Sequence, residues 1–424
     1  MPDTSPLNPV PNRVTDLFPG FGRAADVNEP EDVLDPKHFA AVRSQDGRTR
    51  AALPLWAFTS ERFFAAEMER LLLPGWNMLA RTELVANPGD FHCLTFMNIP
   101  LMLVHGSDGQ VRVFANTCRH RGALVADGSG NCKTFRCPYH AWVYSNEGDL
   151  LAAPHYPDLD GKPIIDGTNR REYGLLEIPS DIWGGFIFVR FRETAPEGVK
   201  PSAPTLAEHL GELPRLLASH RLEDMVTTKQ LVFEMDANWK CFVENYSDGY
   251  HIPTVHKDSL AQWKTEYVDF GDPGPNVTSH FAAHDGSQLL LPFPGFEGFP
   301  AMDGIDADKK RGTFFVTIKP LFMMTLGNDG ALVFNSEPLS ATKSRLTVSS
   351  MFPKSTVARN DFEEFAKNYY RRNDMVVGED VAIALRQYAG INSPYAHVAP
   401  LCSSEATLNS IANWILDRVV GPAQ

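Results

Sequence analysis

The sequence predicts an α+β protein in which a β-rich domain is inserted into a larger domain of helices and antiparallel strands. Residues 76–191 contain short runs of β-branched and aromatic residues separated by turn signals, which is typical of a small all-β domain. Apolar residues recur with the helical period in 60–73 and 359–388, whereas 228–236 and 312–352 have the pattern of strands. A chain of 424 residues is long enough for two or three domains.

The N-terminal region is expected to begin irregularly and then form one helix. The first residues are rich in Pro, Asp and Asn without periodicity, which predicts an irregular arm that can lie on another subunit. Thr59 or Ser60 can cap the helix that follows, and Pro74 with Gly75 ends it. The four predicted segments are the arm at 1–50, the N-terminal helix of the larger domain at 51–75, the β-rich domain at 76–191 and the catalytic remainder at 192–424.

The larger domain contains features that bear on a binding site. Residues 285–304 are rich in glycine and proline, which predicts either a mobile loop over a pocket or a long connection. The helical stretch at 359–388 is expected to break near Gly378. The remaining predicted parts are a proline-containing linker at 193–204 and helices at 206–217 and 404–419.

Composition and charge exclude several classes of function. The formal net charge of −13 argues against nucleic acid or an anionic membrane surface as a partner. The N-terminal residues lack a basic segment followed by an apolar one, and no apolar run of about 18 residues occurs, so neither a secretory signal nor a membrane span is expected. Six cysteines in a chain of this length do not form a disulfide framework. Together these features predict a cytoplasmic protein with free thiols.

The most informative stretch has a C-x-H pair and a C-x-x-H pair on either side of sixteen other residues. Each pair offers one thiolate and one imidazole from a tight loop, and both loops are expected at the tips of hairpins. Zinc accepts two cysteines and two histidines, but the mixed order favours a [2Fe–2S] cluster in which two histidines replace two cysteines on one iron. Cys132 is outside the pairing and is expected to be a loop or core cysteine. The expected cluster ligands are Cys118, His120, Cys137 and His140.

A second candidate metal site lies in residues 238–256, which read NWKCFVENYSDGYHIPTVH. Glu244, Asp248 and His251 share one face if this stretch is helical. His251 and His256, in contrast, are about 140° apart on a regular helix. Pro253 resolves the conflict, because it breaks the helix and lets His256 return from a loop. Two histidines with a carboxylate and open positions form the facial triad of non-haem Fe(II) oxygenases.

Taken together, the two motifs resemble the α subunit of the Rieske non-haem iron oxygenases, also called aromatic-ring-hydroxylating dioxygenases. The resemblance rests on C-x-H and C-P-Y-H-A-W in the first motif, and on N-W-K followed by E-N-x-x-D-x-Y-H-x-x-x-x-H in the second. The two-residue gap between Asn245 and Asp248 is similar to the branch that contains salicylate, terephthalate and quaternary-ammonium oxygenases. The resemblance extends from about Pro54 to Ile415.

The resemblance implies an all-β Rieske [2Fe–2S] domain inserted in a helix-grip catalytic domain, with one [2Fe–2S] Rieske cluster and one mononuclear Fe(II) in each subunit. In that family a late helix supplies an Asp as the third iron ligand, in a pattern that residues 379–405 reproduce. Asp380 is therefore expected to join His251 and His256, with Glu379 as its rival.

The resemblance also implies how electrons and oxygen are used. A ferredoxin or a flavin reductase passes electrons from NAD(P)H to the cluster, and O2 reacts at the iron beside the substrate. In this family the cluster and the iron of one subunit are too far apart for fast transfer. Asp248 is therefore expected to bridge His120 of one subunit and His251 of the next in a homotrimer, with or without a β subunit. Asn245 is expected to lie near the iron.

The substrate is predicted to be an apolar, aromatic small molecule that is hydroxylated on its ring, or at an N- or O-alkyl carbon with dealkylation, as in aromatic compound catabolism. A quaternary ammonium in an aromatic cage, as for a betaine or carnitine-like substrate, is the alternative. No pair of basic residues is placed to clamp a carboxylate, although Lys264 and Lys319 stay candidates. The apolar residues expected in the pocket or the core are Phe242, Phe281, Leu289, Leu290, Leu291, Phe293, Phe296, Phe322, Met323, Met324 and Leu326.

Two hypotheses from other classes stay open. A Rieske electron-transfer protein without oxygenase activity would leave the 238–256 pattern and Asp380 without a role. A zinc protein would use both sites structurally, and it would have neither visible colour nor redox chemistry.

Overall fold

The structure of the protein is a computed structural model that describes residues 29–167, 169–191 and 204–422. Most of the predicted N-terminal arm, residues 1–28, lies outside the described residues. The described end of the arm contains a short 3-10 turn at Pro36–Phe39, whose phenylalanine is buried.

The chain divides into two compact units. The β-rich unit comprises Leu73–Leu206 and Leu222–Asp224, and the larger unit comprises the rest of the chain. The fold class is α+β, as the sequence predicted, with an all-β unit whose sequence interrupts a unit of helices and antiparallel strands. No helix in the described part of the chain is both long enough and apolar enough to cross a membrane.

The β-rich unit is built from short strands with a small core that includes Phe114, Trp142 and Tyr144. Its strands are β1 (Asn77–Arg81), β2 (Asp90–Phe96), β3 (Ile99–His105), β4 (Val111–Ala115), β5 (Ser129–Asn131), β6 (Thr134–Arg136), β7 (Val143–Ser145), β8 (Leu150–Ala152), β9 (Glu177–Ile178), β10 (Ser180–Trp183) and β11 (Phe186–Val189). They form three antiparallel sheets with the orders β1-β11-β10, β5-β2-β3-β4-β9 and β6-β7-β8.

The larger unit contains one antiparallel sheet with the order β12-β18-β17-β16-β15-β14-β13. The longest strands, β12 and β18, pair along nearly their whole length, and β17 pairs with β18 on the other side. The strands are β12 (Met225–Met235), β13 (Glu266–Val268), β14 (Val277–Ala283), β15 (Gly312–Ile318), β16 (Phe322–Leu326), β17 (Ala331–Ser340) and β18 (Lys343–Pro353).

Eight α-helices belong to the described chain, and the longest has 30 residues. That helix, α7, packs against α4, which also contacts β17. The helices are α1 (Glu61–Glu67), α2 (Leu206–Leu210), α3 (Leu213–Leu216), α4 (Trp239–Ser247), α5 (Ile252–Val255), α6 (Lys354–Val357), α7 (Phe362–Ile391) and α8 (Ala406–Val419).

Helix boundaries show where local sequence and tertiary packing disagree. The predicted break near Gly378 is wrong, because α7 runs through this residue. Val376 and Val377, which directly precede it, are buried, and their burial outweighs the cost of one glycine. The single helix predicted at 206–217 is also wrong. Gly211 has a left-handed φ of 55° and separates α2 from α3.

The N-terminal helix begins where the sequence predicted. The Ser60 side chain accepts a hydrogen bond from Phe63 N at 2.9 Å, which caps α1. A π-helical turn at Met68–Leu72 extends it to the predicted end.

Candidate metal centres

The first candidate centre lies in the β-rich unit, on two tight loops. Cys118 N donates to Ala123 O at 2.7 Å, and Gly122 closes this loop with a left-handed φ of 75°. Cys137 N donates to Trp142 O at 2.8 Å across the tip of the β6–β7 hairpin. The first loop follows β4 and leads to β5, which pairs with β2, so it is not the hairpin tip that the sequence predicted.

The four predicted cluster side chains converge. Cys118 and Cys137 are buried free thiols, and their sulfurs are close enough to interact. The imidazoles of His120 and His140 lie edge to face with ring centroids 4.5 Å apart. His120 Nδ1 is buried and has no hydrogen-bond partner among the described residues. Two buried free thiols and two imidazoles, one of them with a buried ring nitrogen that lacks a partner, are the donor types that a Cys2His2-ligated [2Fe–2S] cluster needs.

Aromatic side chains support these loops. Tyr144 Oη lies 3.2 Å from Cys118 Sγ and accepts a hydrogen bond from Arg119 N at 3.1 Å. The ring of Trp142 stacks on the imidazole of His120 with centroids 5.1 Å apart. Cys132 is half-buried and packs against the small core. Burial raises the pKa of the Cys118 thiol.

The second candidate centre lies in the larger unit, after α4. Asn238 caps this helix by accepting a hydrogen bond from Lys240 N at 3.0 Å. The helix ends at Ser247 and Asp248 is already extended, so the predicted helical face shared by Asp248 and His251 does not exist. Pro253 does not break that helix either, because it occupies the first turn of α5.

The short helix α5 brings His251 and His256 together, although the two would point apart on one regular helix. His251 precedes its first residue and His256 follows its last, so both imidazoles flank one turn. Their ring centroids are 5.1 Å apart. Asp380 Oδ1 lies 2.9 Å from His256 Nε2 and 3.6 Å from His251 Nε2. The ligand atoms of these three residues lie within 4.8 Å of one another, which suits a single metal ion with open positions.

The electrostatics of this group favour a cation. Burial opposes ionisation of Asp380, but the neighbouring imidazoles of His251 and His256 outweigh it and lower its pKa to about 2. Burial likewise opposes the charged form of His251, but its hydrogen bond with Asp248 and the nearby carboxylate of Asp380 raise its pKa to about 9. Asn245 Nδ2 donates to Asp380 Oδ1 at 2.8 Å, which places this predicted residue beside the carboxylate.

Each histidine has its second ring nitrogen held by another carboxylate. His251 Nδ1 lies 3.2 Å from Asp248 Oδ2, and His256 Nδ1 lies 2.7 Å from Glu379 Oε2. Ser259 Oγ donates to the same Glu379 oxygen at 2.8 Å. This arrangement leaves both Nε2 atoms facing Asp380, and it is common around histidine-bound metals. The sequence offered Glu379 only as a rival ligand, because its contact with His256 spans more than a hundred residues.

One further charged residue near this centre, Arg372, had no sequence signal. Arg372 is buried on α7, and its Nε donates to Gln288 O at 3.1 Å. Burial lowers its pKa to about 10, and the charge of Asp380 opposes this shift. Lys240 Nζ and Glu67 Oε1 form a buried ion pair at 2.8 Å near the start of α4.

The predicted pocket residues divide into two groups. Leu290, Leu291, Phe293 and Phe296 line a cavity of about 450 Å³ in the larger unit. Lys319 is buried elsewhere, with Nζ donating to Pro275 O at 3.0 Å. The buried core holds the other predicted residues, which are Phe242, Phe281, Leu289, Phe322, Met323, Met324 and Leu326.

Comparisons with known proteins match two regions of the chain to families. Residues 75–163 match the family described as the Rieske [2Fe-2S] domain, and residues 222–421 match the ring-hydroxylating alpha subunit catalytic domain. The glycine betaine monooxygenase oxygenase subunit of Pseudomonas aeruginosa is 24% identical over 423 residues, covering 92% of this chain and 94% of that protein.

Two other similarities concern smaller regions or the fold. The N,N-dimethyl phenylurea N-demethylase subunit alpha of Sphingobium sp. is 32% identical over 233 residues, covering 53% of this chain and 48% of that protein. The solved structure of a quaternary ammonium Rieske monooxygenase, described in terms of carnitine oxidation and inter-subunit electron transfer, has a TM-score of 0.70. The two sequences are 20% identical, and the match covers 89% of this chain and 97% of that structure's chain. This similarity shows that the two chains have the same fold.

Proposed function

This chain belongs to the α subunits of the Rieske non-haem iron oxygenases, and from that premise we propose that it hydroxylates a methyl carbon bound to nitrogen in a small organic molecule. Its cofactors are a Rieske [2Fe–2S] cluster and a mononuclear iron. When bound, these groups supply single electrons and the activation of O2.

The proposed cluster ligands are Cys118, His120, Cys137 and His140, which the two loops of the β-rich unit bring together. The proposed iron ligands are His251, His256 and Asp380. Asp248 and Glu379 orient the two histidines by holding Nδ1, and Asn245 holds one oxygen of Asp380. These hydrogen bonds fix which nitrogen of each imidazole is free to bind metal.

We also propose that electrons arrive from a ferredoxin or flavin reductase, and that they pass between subunits of a homotrimer through Asp248. Asp248 holds His251 through Oδ2, while its Oδ1 accepts only the backbone N–H of Tyr250 among the described residues. Large aromatic side chains are exposed beside both motifs, with Tyr139 56% and Tyr250 63% exposed. Exposed aromatic surface next to each centre suits a contact between copies of the chain.

The substrate class is supported by what the relatives share. Glycine betaine, carnitine and N,N-dimethyl phenylurea all carry methyl groups on nitrogen. In the proposed reaction one oxygen atom enters a C–H bond of such a methyl group, and two electrons and two protons reduce the other to water. The resulting carbinol loses formaldehyde and leaves the nitrogen with one methyl fewer. This replaces ring hydroxylation of an aromatic molecule as the preferred hypothesis.

The test is a coupled assay with purified chain, a ferredoxin and reductase pair, and NADH. Glycine betaine and N,N-dimethyl phenylurea are compared with naphthalene, which has no N-methyl group. We expect formaldehyde to appear in step with NADH oxidation for at least one N-methyl compound. A dihydroxylated product from naphthalene, without formaldehyde from the N-methyl compounds, would contradict the proposal.

A further inference from the structure

A cavity in the larger unit combines aromatic walls with a buried negative charge. Its volume is about 450 Å³, which is in the range of small-molecule sites. The segment 286–301 forms most of its wall, together with Trp263 and the turn between β16 and β17. Four of its lining residues are aromatic, namely Trp263, Phe293, Phe296 and Phe299.

The charge belongs to Asp329, a cavity-lining residue that is only 1% exposed. Ser287 Oγ donates to its Oδ1 at 2.7 Å, and Tyr369 Oη donates to its Oδ2 at 2.5 Å. Among the described residues, no lysine, arginine or histidine forms an ion pair with it. Burial raises its pKa to about 6, so it stays largely ionised near neutral pH. A buried carboxylate with only neutral donors is stabilised further when a cation comes close.

Two cationic side chains of α7 lie near the cavity. The guanidinium of Arg371 lies over the ring of Phe296, 4.7 Å from its centroid, and this arginine is exposed to solvent. Its neighbour Arg372 is turned away to the carbonyl of Gln288. The positive charge at the rim therefore weakens attraction for a cation, whereas Asp329 provides the attraction inside.

The end of the cavity at Asp329 lies away from the candidate iron site. Tyr369, which contacts Asp329, and Asp380 are eleven residues apart on the continuous helix α7. At 1.5 Å per residue this separates them by about 16 Å along the helix axis. A ligand held at Asp329 is thus not at the iron.

We propose that this cavity binds a methylated ammonium cation, with the aromatic rings around its methyl groups and Asp329 opposite its charge. The idea that this cation is a substrate on its way to the iron rests on the proposed function. The binding site is independent of that function, because it is defined by the cavity and its charge. An effector with the same ammonium chemistry is the other source of such a ligand.

Binding is measured by calorimetry on the full holoprotein without an electron donor, so that no turnover occurs. The probes are choline and 3,3-dimethylbutan-1-ol, which has carbon in place of the charged nitrogen. We expect choline to bind about tenfold more tightly than the neutral alcohol. Asp329→Asn should remove this preference, whereas Arg371→Gln, at an exposed position, should strengthen choline binding by roughly threefold. Ser287→Ala keeps the carboxylate and should keep the preference.

Equal binding of the two probes, or no binding of either at millimolar concentration, would overturn the proposal. An unchanged preference in Asp329→Asn would do the same. Because Arg371→Gln does not touch the folded core, its opposite effect stays measurable even if Asp329→Asn folds poorly. Choline binding without any oxygenase activity would leave this site intact and reject the proposed function. In steady-state assays, a substrate in transit raises KM in Asp329→Asn, whereas an effector changes kcat.

Discussion

His256 is held between two carboxylates from adjacent positions of α7. Its Nδ1 lies 2.7 Å from Glu379 Oε2 and its Nε2 lies 2.9 Å from Asp380 Oδ1. Adjacent residues point about 100° apart on a helix, so one side chain cannot replace the other. The two nitrogens of one imidazole face in different directions and can meet both. In the proposed site Asp380 therefore binds the metal and Glu379 orients the histidine.

Glu379→Gln is expected to weaken iron binding while leaving the cluster intact. A neutral amide holds the Nδ1–H of His256 less strongly, and loss of such a partner typically costs about 10- to 100-fold in metal affinity. The measurement is mononuclear iron occupancy against buffered Fe(II), with the visible spectrum of the cluster as the internal reference. Glu364→Gln, an exposed residue in the first turn of α7, is the matched control. Equal affinities in the two variants would mean that Glu379 does not orient the ligand.

The two metal centres are expected to be lost separately. Asp380→Asn should reduce iron from about three to about two atoms per chain without changing the acid-labile sulfide, since only the mononuclear site loses a ligand. Cys137→Ser should remove the sulfide and the visible absorption. Metal and sulfide analysis with a visible spectrum measures both. Zinc without sulfide in the wild-type protein would reject both iron sites.

Asp248→Asn is expected to stop turnover with both centres filled. The amide can still reach His251 Nδ1, which lies 3.2 Å from the carboxylate, but it lacks the charge that we propose couples this histidine to the cluster of another subunit. We expect a fall of about 100-fold or more in turnover. Asp258→Asn, at an exposed carboxylate, is the control and should behave as wild type. A wild-type rate in Asp248→Asn would show that electrons take another route.

The sequence predicted side chains that are close along the chain better than those that meet across it. Cys118 and His120 lie on one loop, and His251 and His256 flank one helical turn. Their spacing alone therefore indicates that each pair binds the same metal centre. The orienting role of Glu379 depends on how α7 packs against the segment after α4, which no local pattern shows. The break expected at Gly378 failed for the same reason, because burial of neighbouring valines outweighs the local preference.

Acid is expected to destabilise the larger unit through His220. Burial lowers the pKa of this histidine from 6.5 to about 4, so the unfolded chain binds a proton at a pH where the folded chain does not. Its contribution to stability is complete above about pH 6.5 and is lost as pH falls towards 4, amounting to about 3 kcal/mol. His220→Phe, which keeps the edge-to-face contact with Phe314, should flatten the melting temperature between pH 5 and 7.5. An unchanged pH dependence would rule out this residue as a source of acid sensitivity.

Lys240→Met is expected to destabilise the larger unit strongly. The Lys240 and Glu67 side chains are 1% and 0% exposed, and Nζ lies 2.8 and 3.0 Å from the two carboxylate oxygens. Burial already raises the pKa of Glu67, and removing the lysine leaves that carboxylate without its cation. Breaking one side of a buried pair costs about 3–5 kcal/mol. Differential scanning calorimetry should show a clear fall in the melting temperature.

The double variant Glu67→Gln with Lys240→Met should recover part of this loss, because no buried charge then lacks a partner. Lys229→Met is the matched control, since Lys229 pairs with Asp374 at 3.1 Å on the surface. Exposed pairs contribute only about 0–1 kcal/mol, so this variant should melt close to wild type. Similar melting temperatures for Lys240→Met and Lys229→Met would show that the buried pair does not hold the start of α4. A fall in Lys240→Met accompanied by loss of mononuclear iron would instead link this pair to the position of Asn245 at the other end of that helix.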